Sequence, residues 1–169
     1  NVNVCSNNGG GNWTITGNFI DGNFNDNRRT GVGFLTFSGI FLESNFSGNS
    51  TELINTFAGA VTDSNISTNT IGSLLFSSTV TDTNIVNNIL NTVAGVTLSI
   101  INGACLRVKI NGNTGKNNWT IGAVGVGFTE GSFNDNVVTN SAATGMVTFG
   151  GTFTESTMVS NTVNLNITI

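Results

Sequence analysis

Apolar and polar positions follow a short unit that recurs along the whole chain. The unit is clearest at residues 37–49, FSGIFLESNFSGN, which reads apolar, any, small, any, apolar, any, acidic, small, polar, apolar, any, any, asparagine. Its second apolar position, here called the anchor, recurs at intervals of 22, 20, 19, 25, 23 and 25 residues. The anchors are Phe19, Phe41, Val61, Val80, Cys105, Phe128 and Phe153. A unit of this length that repeats with variable spacers predicts a solenoid.

Two further apolar positions accompany each anchor. The first precedes it, at Ile15, Phe37, Phe57, Phe76, Ile101, Val124 and Phe149. The third follows it, at Phe24, Phe46, Ile66, Ile85, Ile110, Phe133 and Met158. Eleven of the 12 phenylalanines occupy these three positions, and Phe34 is the exception. We therefore expect interior stacks with a phenylalanine core at Phe19, Phe24, Phe37, Phe41, Phe46, Phe57, Phe76, Phe128, Phe133, Phe149 and Phe153.

The pattern predicts an all-β fold, a single-stranded parallel β-helix of about seven coils of 19–25 residues with essentially no helix. The chain is one domain, residues 1–169, with an N-terminal strand and turn (1–12), repeat coils (13–161) and a C-terminal strand (162–169). A small residue stands between the first two apolar positions in every unit but one, where Val126 replaces it. We expect this column, which includes Gly39 and Gly59, to mark a bulge or contact from the opposite wall.

Composition restricts the function. Five basic residues and a net charge of −4 cannot form a stripe that follows nucleic-acid phosphates. Hydrophobic residues make up 38% of the chain and recur at regular positions, which excludes a disordered chain. No apolar run reaches the length of a membrane span. A lysine-poor surface of Asn, Thr and Ser predicts an extracellular or cell-surface location, and the start at Asn1 suggests a processed or excerpted chain.

Every unit ends in asparagine, at Asn27, Asn49, Asn69, Asn88, Asn113, Asn136 and Asn161. Asparagine accounts for 29 of 169 residues, so seven matches in seven units do not arise by chance. We expect an asparagine ladder at a turn, in which each amide bonds to the backbone or to the next amide and the left-handed conformation is tolerated.

An acidic residue follows two positions after the anchor in six of the seven units. These residues, here called the acidic file, are Asp21, Glu43, Asp63, Asp82, Glu130 and Glu155, with Arg107 in the remaining unit. Stacked carboxylates repel by roughly 0.9 kcal/mol per pair in water. We expect each to cap backbone N–H groups, with Arg107 bridging Asp82 and Glu130. Ca²⁺ bound between successive carboxylates is the alternative, and no other cofactor is expected.

The two cysteines stand in distant units. Cys5 precedes the first unit and Cys105 is the fifth anchor, so about five coils, or roughly 24 Å, separate them. This distance excludes an intrachain disulfide. We expect Cys105 to be buried and Cys5 to be free or bridged to another subunit.

The segment from anchor to asparagine resembles the FxxN repeat of right-handed parallel β-helix proteins such as chlamydial polymorphic membrane proteins and autotransporter-like adhesins. FxxN occurs at residues 24–27, 46–49 and 133–136, and with Ile or Met at 66–69, 85–88, 110–113 and 158–161. The chain lacks the GGAI half of that repeat. The resemblance implies a fold only, because likeness of fold does not by itself assign a function.

The expected function is a subunit of an extracellular filament or surface fibre, with adhesion as a further role. Neither end of the chain carries a helix or a charged cap, so each end needs a partner. We expect strand addition by the terminal segments 1–5 and 164–169 to join copies head to tail, or neighbouring repeats of a longer chain. The assembly residues are Asn1, Val2, Val4, Cys5, Leu165, Ile167 and Ile169.

Two other functions stay open. One is a β-helix that binds or cleaves surface polysaccharides, by analogy with pectin lyases, for which Arg107 and Lys109 with Asp82 and Glu130 are the candidates. The repetition of the acids and the absence of His and Tyr argue against an enzyme. The other is ice binding by threonine arrays, for which the TxT motifs fall at different places in the repeat, so we expect no regular array.

Overall fold

The computed structural model describes residues 2–31, 33–90, 98–100, 103–116, 118–122, 125–139, 146–164 and 166–169. Within these residues the chain forms strands and turns without helix. All strand pairs are parallel, and the strands belong to three sheets through which the chain passes in turn. This arrangement confirms the predicted all-β parallel solenoid.

Sheets 1 and 2 are built from short strands, one per coil. Sheet 1 contains Phe19–Ile20, Phe41–Leu42, Val61–Thr62, Val80–Thr81, Cys105–Leu106, Phe128–Thr129 and Phe153–Thr154. Sheet 2 contains Asn3–Cys5, Asn23–Asn25, Asn45–Ser47, Asn65–Ser67, Asn84–Val86, Lys109–Asn111, Ser132–Asn134 and Thr157–Val159. The seven strands of sheet 1 agree with the prediction of about seven coils.

Sheet 3 is wider, and it contains the variation in coil length. In two central coils one long strand crosses it, Ser50–Phe57 and Thr70–Phe76. Each of the other six coils has two shorter strands in this sheet. In chain order, the pairs are Asn8–Gly9 with Trp13–Ile15; Arg28–Arg29 with Leu35–Phe37; Ile89–Leu90 with Ser99–Ile100; Thr114–Lys116 with Trp119–Ile121; Val137–Thr139 with Met146–Phe149; and Thr162–Val163 with Asn166–Thr168. The predicted variable loops therefore lie mainly on one flank.

The register of the sheets follows the repeating unit. Phe41 pairs with Phe19 on one side and with Val61 on the other, and all seven anchors continue this file in sheet 1. The third apolar position forms an equivalent file in sheet 2, which begins one coil earlier, at Val4. The segment predicted as an N-terminal strand and turn thus supplies part of a further coil.

The first apolar position differs from prediction in two coils. The register of sheet 3 pairs Ile100 with Phe76 and with Ile121, and Ile121 with Phe149. The residues chosen from sequence, Ile101 and Val124, lie outside the described residues. Counting back a fixed distance from the anchor fails here because Ile121 precedes its anchor by seven residues, whereas Phe37 precedes its anchor by four.

Aromatic stacks fill the interior. Of the predicted core phenylalanines, Phe153 is half-buried in the last coil and the other ten are buried. Successive rings stack nearly parallel, with centroids 4.9 Å apart for Phe37 and Phe57 and 5.2 Å apart for Phe19 and Phe41. Phe34, the phenylalanine outside the pattern, is 52% exposed.

Sheet 3 contributes a further interior file that the sequence analysis missed. Trp13, Leu35 and Asn55 occupy it in successive coils, and Trp119 and Val147 occupy it near the other end. These residues precede the first apolar position by two, the spacing at which a strand returns to the same face. Its members Leu35, Trp119 and Val147 are fully buried, as is the neighbouring Leu98 at 1% exposure.

The column of small residues marks a corner where successive backbones touch. A Cβ atom on Gly59 would lie 2.3 Å from the carbonyl oxygen of Gly39, and one on Gly39 would lie 2.3 Å from that of Gly17. The prediction of a bulge, or of contact from the opposite wall, was wrong. The coils pass so closely at this corner that the neighbouring backbone itself excludes a side chain.

Candidate functional site

The predicted asparagine ladder runs along the corner between sheets 2 and 3. Its members from Asn27 to Asn136 are at most 1% exposed. None of the ladder asparagines has a left-handed backbone, contrary to expectation. The residue before each takes that conformation, with φ between 55° and 66°, at Asp26, Gly48, Thr68, Asn87, Gly112, Asp135 and Ser160.

Each rung of the ladder is a repeated set of three hydrogen bonds. Asn49, for example, donates from its backbone N–H and from Nδ2 to Oδ1 of Asn69, both at 2.9 Å, and from Nδ2 to the carbonyl of Phe24 at 2.9 Å. The backbone and Nδ2 bonds to Oδ1 measure 2.8–3.1 Å in every rung. A buried amide satisfied on both sides fixes the register of its coil.

The ladder has an eighth member, Asn7, which the sequence analysis did not include. Its backbone N–H and Nδ2 donate to Oδ1 of Asn27 at 3.1 and 2.9 Å. The segment from Val4 to Asn7 is a VxxN version of the FxxN motif. It lacks the preceding anchor, and that is why a search based on anchors passed over it.

The ladder is directional, so its two ends differ chemically. In each of the seven rungs, Nδ2 of one asparagine donates to Oδ1 of the asparagine in the coil after it. At one end, no described residue donates to Oδ1 of Asn7. At the other end, the backbone N–H of Asn161 has no acceptor among the described residues, while its Nδ2 donates to the carbonyls of Phe133 and Val159.

The end coils also leave apolar interior residues partly uncovered. Val4, Trp13 and Ile15 are half-buried at the first coil, and Phe153, Met158 and Val163 are half-buried at the last. A depression of about 770 Å³ lined by residues that include Phe149, Gly151, Phe153 and Ile169 opens at the last coil. Equivalent residues in the central coils are fully buried, because the next coil covers them.

The predicted assembly residues lie in these end coils. Val4 and Cys5 belong to the edge strand of sheet 2, which pairs with Asn23–Asn25 on one side, and Val2 precedes it. Ile167 belongs to the edge strand Asn166–Thr168 of sheet 3, and Ile169 follows it at 67% exposure. Asn1 and Leu165 lie outside the described residues.

The acidic file lies at the corner between sheets 1 and 2, where each member has a left-handed backbone. All six acids and Arg107 have φ between 48° and 53°. The predicted capping of backbone N–H groups was wrong, since no backbone group of the described residues donates to these carboxylates. The following position supplies the corner's hydrogen bonds instead. Ser64 Oγ, for example, accepts from the N–H of Ser44 at 3.2 Å and donates to the carbonyl of Thr62 at 2.7 Å.

Charge is compensated at one point in the acidic file. Arg107 donates from Nη2 to Oδ2 of Asp82 at 2.7 Å, and its Nη1 lies 3.8 Å from Oε2 of Glu130. This is the predicted bridge between the two neighbouring carboxylates. The hydrogen bond from Arg107 lowers the pKa of Asp82. Elsewhere in the file, the hydrogen bond and charge of Asp21 raise the pKa of Glu43.

Ca²⁺ binding by the acidic file and polysaccharide chemistry at Arg107 remain the alternatives that the sequence leaves open. The described residues contain no cluster of three or more His, Cys, Asp or Glu side chains that could hold a metal ion. A groove of about 310 Å³ runs beside the file, lined by residues that include Glu43, Asp63 and Asp82. Arg107, the candidate for polysaccharide chemistry, is engaged by Asp82 at the edge of this region.

Two outward files on the flanks were not predicted. On sheet 2, Asn3, Asn23 and Asn45 bond to one another through their amides at 2.9 and 3.1 Å, and Asn65 and Asn84 continue the file. On sheet 3, the residue before the first apolar position is outward-facing, and six of its eight occupants are threonine. They are Thr14, Thr36, Thr56, Thr120, Thr148 and Thr168. The expectation that no regular threonine array exists was therefore wrong.

A buried cation lies in the second coil of sheet 3. Arg29 is 2% exposed, and its three side-chain nitrogens have no hydrogen-bond partner among the described residues. A Cβ atom on Gly33 would lie 2.5 Å from Nη2, so the guanidinium is tightly enclosed. Burial lowers its pKa.

The cysteines are both unpaired. Cys105 is buried as an anchor, and burial raises the pKa of its thiol to about 12, which makes it an unreactive core residue. Cys5 is exposed on the edge strand.

No protein family, no curated protein and no solved structure matches this chain. In the part of the chain that the structure describes, no helix is long and apolar enough to cross a membrane. The interpretation of function therefore rests on the geometry of the solenoid and its ends.

Proposed function

We propose that this protein is a structural rod whose copies stack end to end into an extracellular filament or surface fibre. The observation that supports the proposal is the state of the two end coils. Each presents open sheet edges and half-buried apolar side chains, whereas equivalent residues inside the solenoid are covered by the next coil. A coil of the same kind is the surface that fits such an end, because every interior coil is already covered in this way.

The flanks of the rod suit a fibre. They carry outward-facing rows of asparagine and threonine, and the acidic file adds negative charge along one corner. Hydrogen-bonding rows of this kind offer repeated contacts to glycans or to neighbouring fibres, and adhesion is the role that we propose for them.

The test is concentration-dependent assembly of the purified chain. We expect sedimentation velocity to show species that grow with concentration, and negative-stain microscopy to show rods longer than one solenoid. Met158→Lys should suppress this growth, because it puts an ammonium group into the interior file at the last coil. Val159→Lys is the matched control, since the adjacent side chain points outward and is 56% exposed.

Monomers at every concentration, with no rods on the grid, would refute the proposal. Equal effects of the two lysine variants would mean that net charge, and not the end surface, controls association.

The outward threonine file supports a second candidate, binding to ice. Its threonines repeat at about 4.8 Å on one face of sheet 3 in the first three and the last three coils, with Leu75 and Ser99 at the two positions between them. Thermal hysteresis that disappears in Thr56→Val but persists in Thr62→Val, a threonine of sheet 1, would favour this function. No hysteresis in the wild-type chain would exclude it.

A further inference from the structure

We infer that the asparagine ladder makes the joint between two copies head to tail, with Asn161 of one copy bonded to Asn7 of the next. The inference rests on the proposed end-to-end assembly and specifies its partner and polarity. A head-to-tail joint uses two different surfaces, so it leaves a free end at every step and produces an open polymer. A two-fold joint would stop at a dimer.

The hydrogen-bonding groups at the two ends are complementary. Oδ1 of Asn7 is an acceptor without a donor among the described residues, and the backbone N–H of Asn161 is a donor without an acceptor. Inside the rod, the same two groups meet in each of the seven rungs, as in Asn136 to Asn161 at 3.0 Å. The joint would add an eighth rung of the same kind.

Two copies joined first coil to first coil, or last coil to last coil, do not bring complementary hydrogen-bonding groups together. A joint between two first coils would leave Oδ1 of both Asn7 residues without the N–H of Asn161 that completes a rung. A joint between two last coils would leave the N–H of both Asn161 residues without the Oδ1 of Asn7. Either arrangement buries polar groups without partners, which costs roughly 1–3 kcal/mol for each group.

The apolar files continue across the head-to-tail joint. In sheet 2, one file begins at Val4 in the first coil and ends at Met158 in the last. In sheet 3, another file begins at Gly9 and ends at Val163, and the ring of Trp13 lies over Gly9. Ile167 ends the file that Trp13 begins. Stacking one copy on the next therefore covers half-buried apolar groups with apolar groups in sheets 2 and 3.

Sheet 1 does not contribute to the joint. It has seven strands where sheet 2 has eight, so its strands in the two copies lie two repeats apart, roughly 9.6 Å. The joint is consequently weaker than the contact between two coils inside the rod. We expect reversible assembly that depends on concentration.

Two variants that each block one end test the polarity. Val4→Lys blocks the first coil and Met158→Lys blocks the last, and the long side chain of each can reach solvent through the open end of the free monomer. We expect each variant alone to remain monomeric. Their equimolar mixture should form heterodimers and nothing larger, because one free first coil meets one free last coil. Circular dichroism of each variant checks that it is folded.

A second pair of variants tests the ladder itself. Asn161→Asp keeps the acceptor for Asn136 but places a carboxylate opposite Oδ1 of Asn7, so assembly should weaken at least tenfold. Asn164→Asp introduces the same charge at an exposed position in the same coil and should have little effect.

Each outcome separates the inference from the proposed function. Single variants that dimerise on their own, with no heterodimer in the mixture, would show self-association through a two-fold joint and overturn the inferred polarity. A wild-type chain that never associates would overturn the filament proposal itself. Equal behaviour of the two aspartate variants would remove the ladder from the joint.

Discussion

At the scale of single residues, we expect substitution of a buried ladder asparagine to lower the free energy of unfolding more than its small side chain would suggest. Asn69 accepts two hydrogen bonds from Asn49 and donates to the carbonyl of Phe46 and to Oδ1 of Asn88. Alanine at this position would leave the two donors of Asn49 buried without an acceptor. The penalty for each buried, unsatisfied group exceeds the net gain from one satisfied bond.

We therefore expect Asn69→Ala to lower the free energy of unfolding by about 3–5 kcal/mol. Asn45→Ala removes the same side chain from the exposed file of sheet 2 and should cost less than about 1 kcal/mol. Urea unfolding followed by circular dichroism measures both. Equal losses would mean that the ladder contributes no more than a surface amide.

For Arg29, in contrast, we predict that substitution raises the free energy of unfolding. Its guanidinium is enclosed without a hydrogen-bond partner among the described residues, and an unpaired buried charge costs several kcal/mol. Arg29→Met keeps most of the volume and removes the charge, so it should stabilise the fold by about 1–3 kcal/mol. Arg28→Met, at the exposed neighbouring position, should change stability by less than about 0.5 kcal/mol. A loss of stability in Arg29→Met would show that the guanidinium has a favourable partner in solution.

The sequence predicts residues well where their spacing is constant. Each anchor precedes its ladder asparagine by eight residues in all seven units, because the two corners on this path are short and identical. Ile100 and Ile121 could not be placed, since the corner before the anchor varies in length. Asn7 was missed because its unit has no anchor, and the burial of Arg29 could not be inferred because arginine is ordinarily a surface residue.

At the scale of elements, two left-handed corners in each coil join the short strands. The corner before the ladder accepts Gly, Asn, Asp, Ser and, at one coil, Thr68 with φ of 55°. A β-branched residue in this conformation is strained, whereas glycine is not. The left-handed conformation of the acidic-file corner is hard to predict from sequence, because residues such as Glu43 and Arg107 rarely adopt it.

Thr68→Gly should raise the free energy of unfolding by about 0.5–1 kcal/mol. Glycine removes the strain of the left-handed backbone, and this gain is larger than the entropy that glycine loses on folding. Thr70→Gly, two residues later in the strand Thr70–Phe76, should instead destabilise it by about 1 kcal/mol. Thermal unfolding of the two variants provides the comparison. Destabilisation by both would mean that the Oγ1 bond of Thr68 to the carbonyl of Ser67 outweighs the backbone strain.

At the scale of the whole molecule, the coils are interchangeable units that contact only their neighbours. Val61 pairs with Phe41 on one side and with Val80 on the other, 19 residues along the chain. Removal of residues 61–79 therefore brings Phe41 against Val80 with every file still in register. Stability in such a fold is the sum of coil and interface terms, so the loss should be partial.

We expect the variant without residues 61–79 to keep a β-sheet circular dichroism spectrum and to be shorter by about 4.8 Å. A variant without residues 62–65 instead shortens the constant eight-residue path from the anchor Val61 to Asn69, so it breaks the register of both files and should not fold. Small-angle scattering and circular dichroism distinguish the two. Folding of both would refute the interpretation that register between files specifies this solenoid.

The common direction of the ladder has an electrical consequence. Its eight side-chain amides all point their oxygen toward the first coil and their nitrogen toward the last. Each amide has a dipole of roughly 3.5 D, and parallel dipoles add. The ladder therefore contributes a dipole component along the long axis of the rod, with its negative end at Asn7. Copies stacked in one direction would add their dipoles, so a growing fibre should align in an applied field more strongly with every copy that joins it.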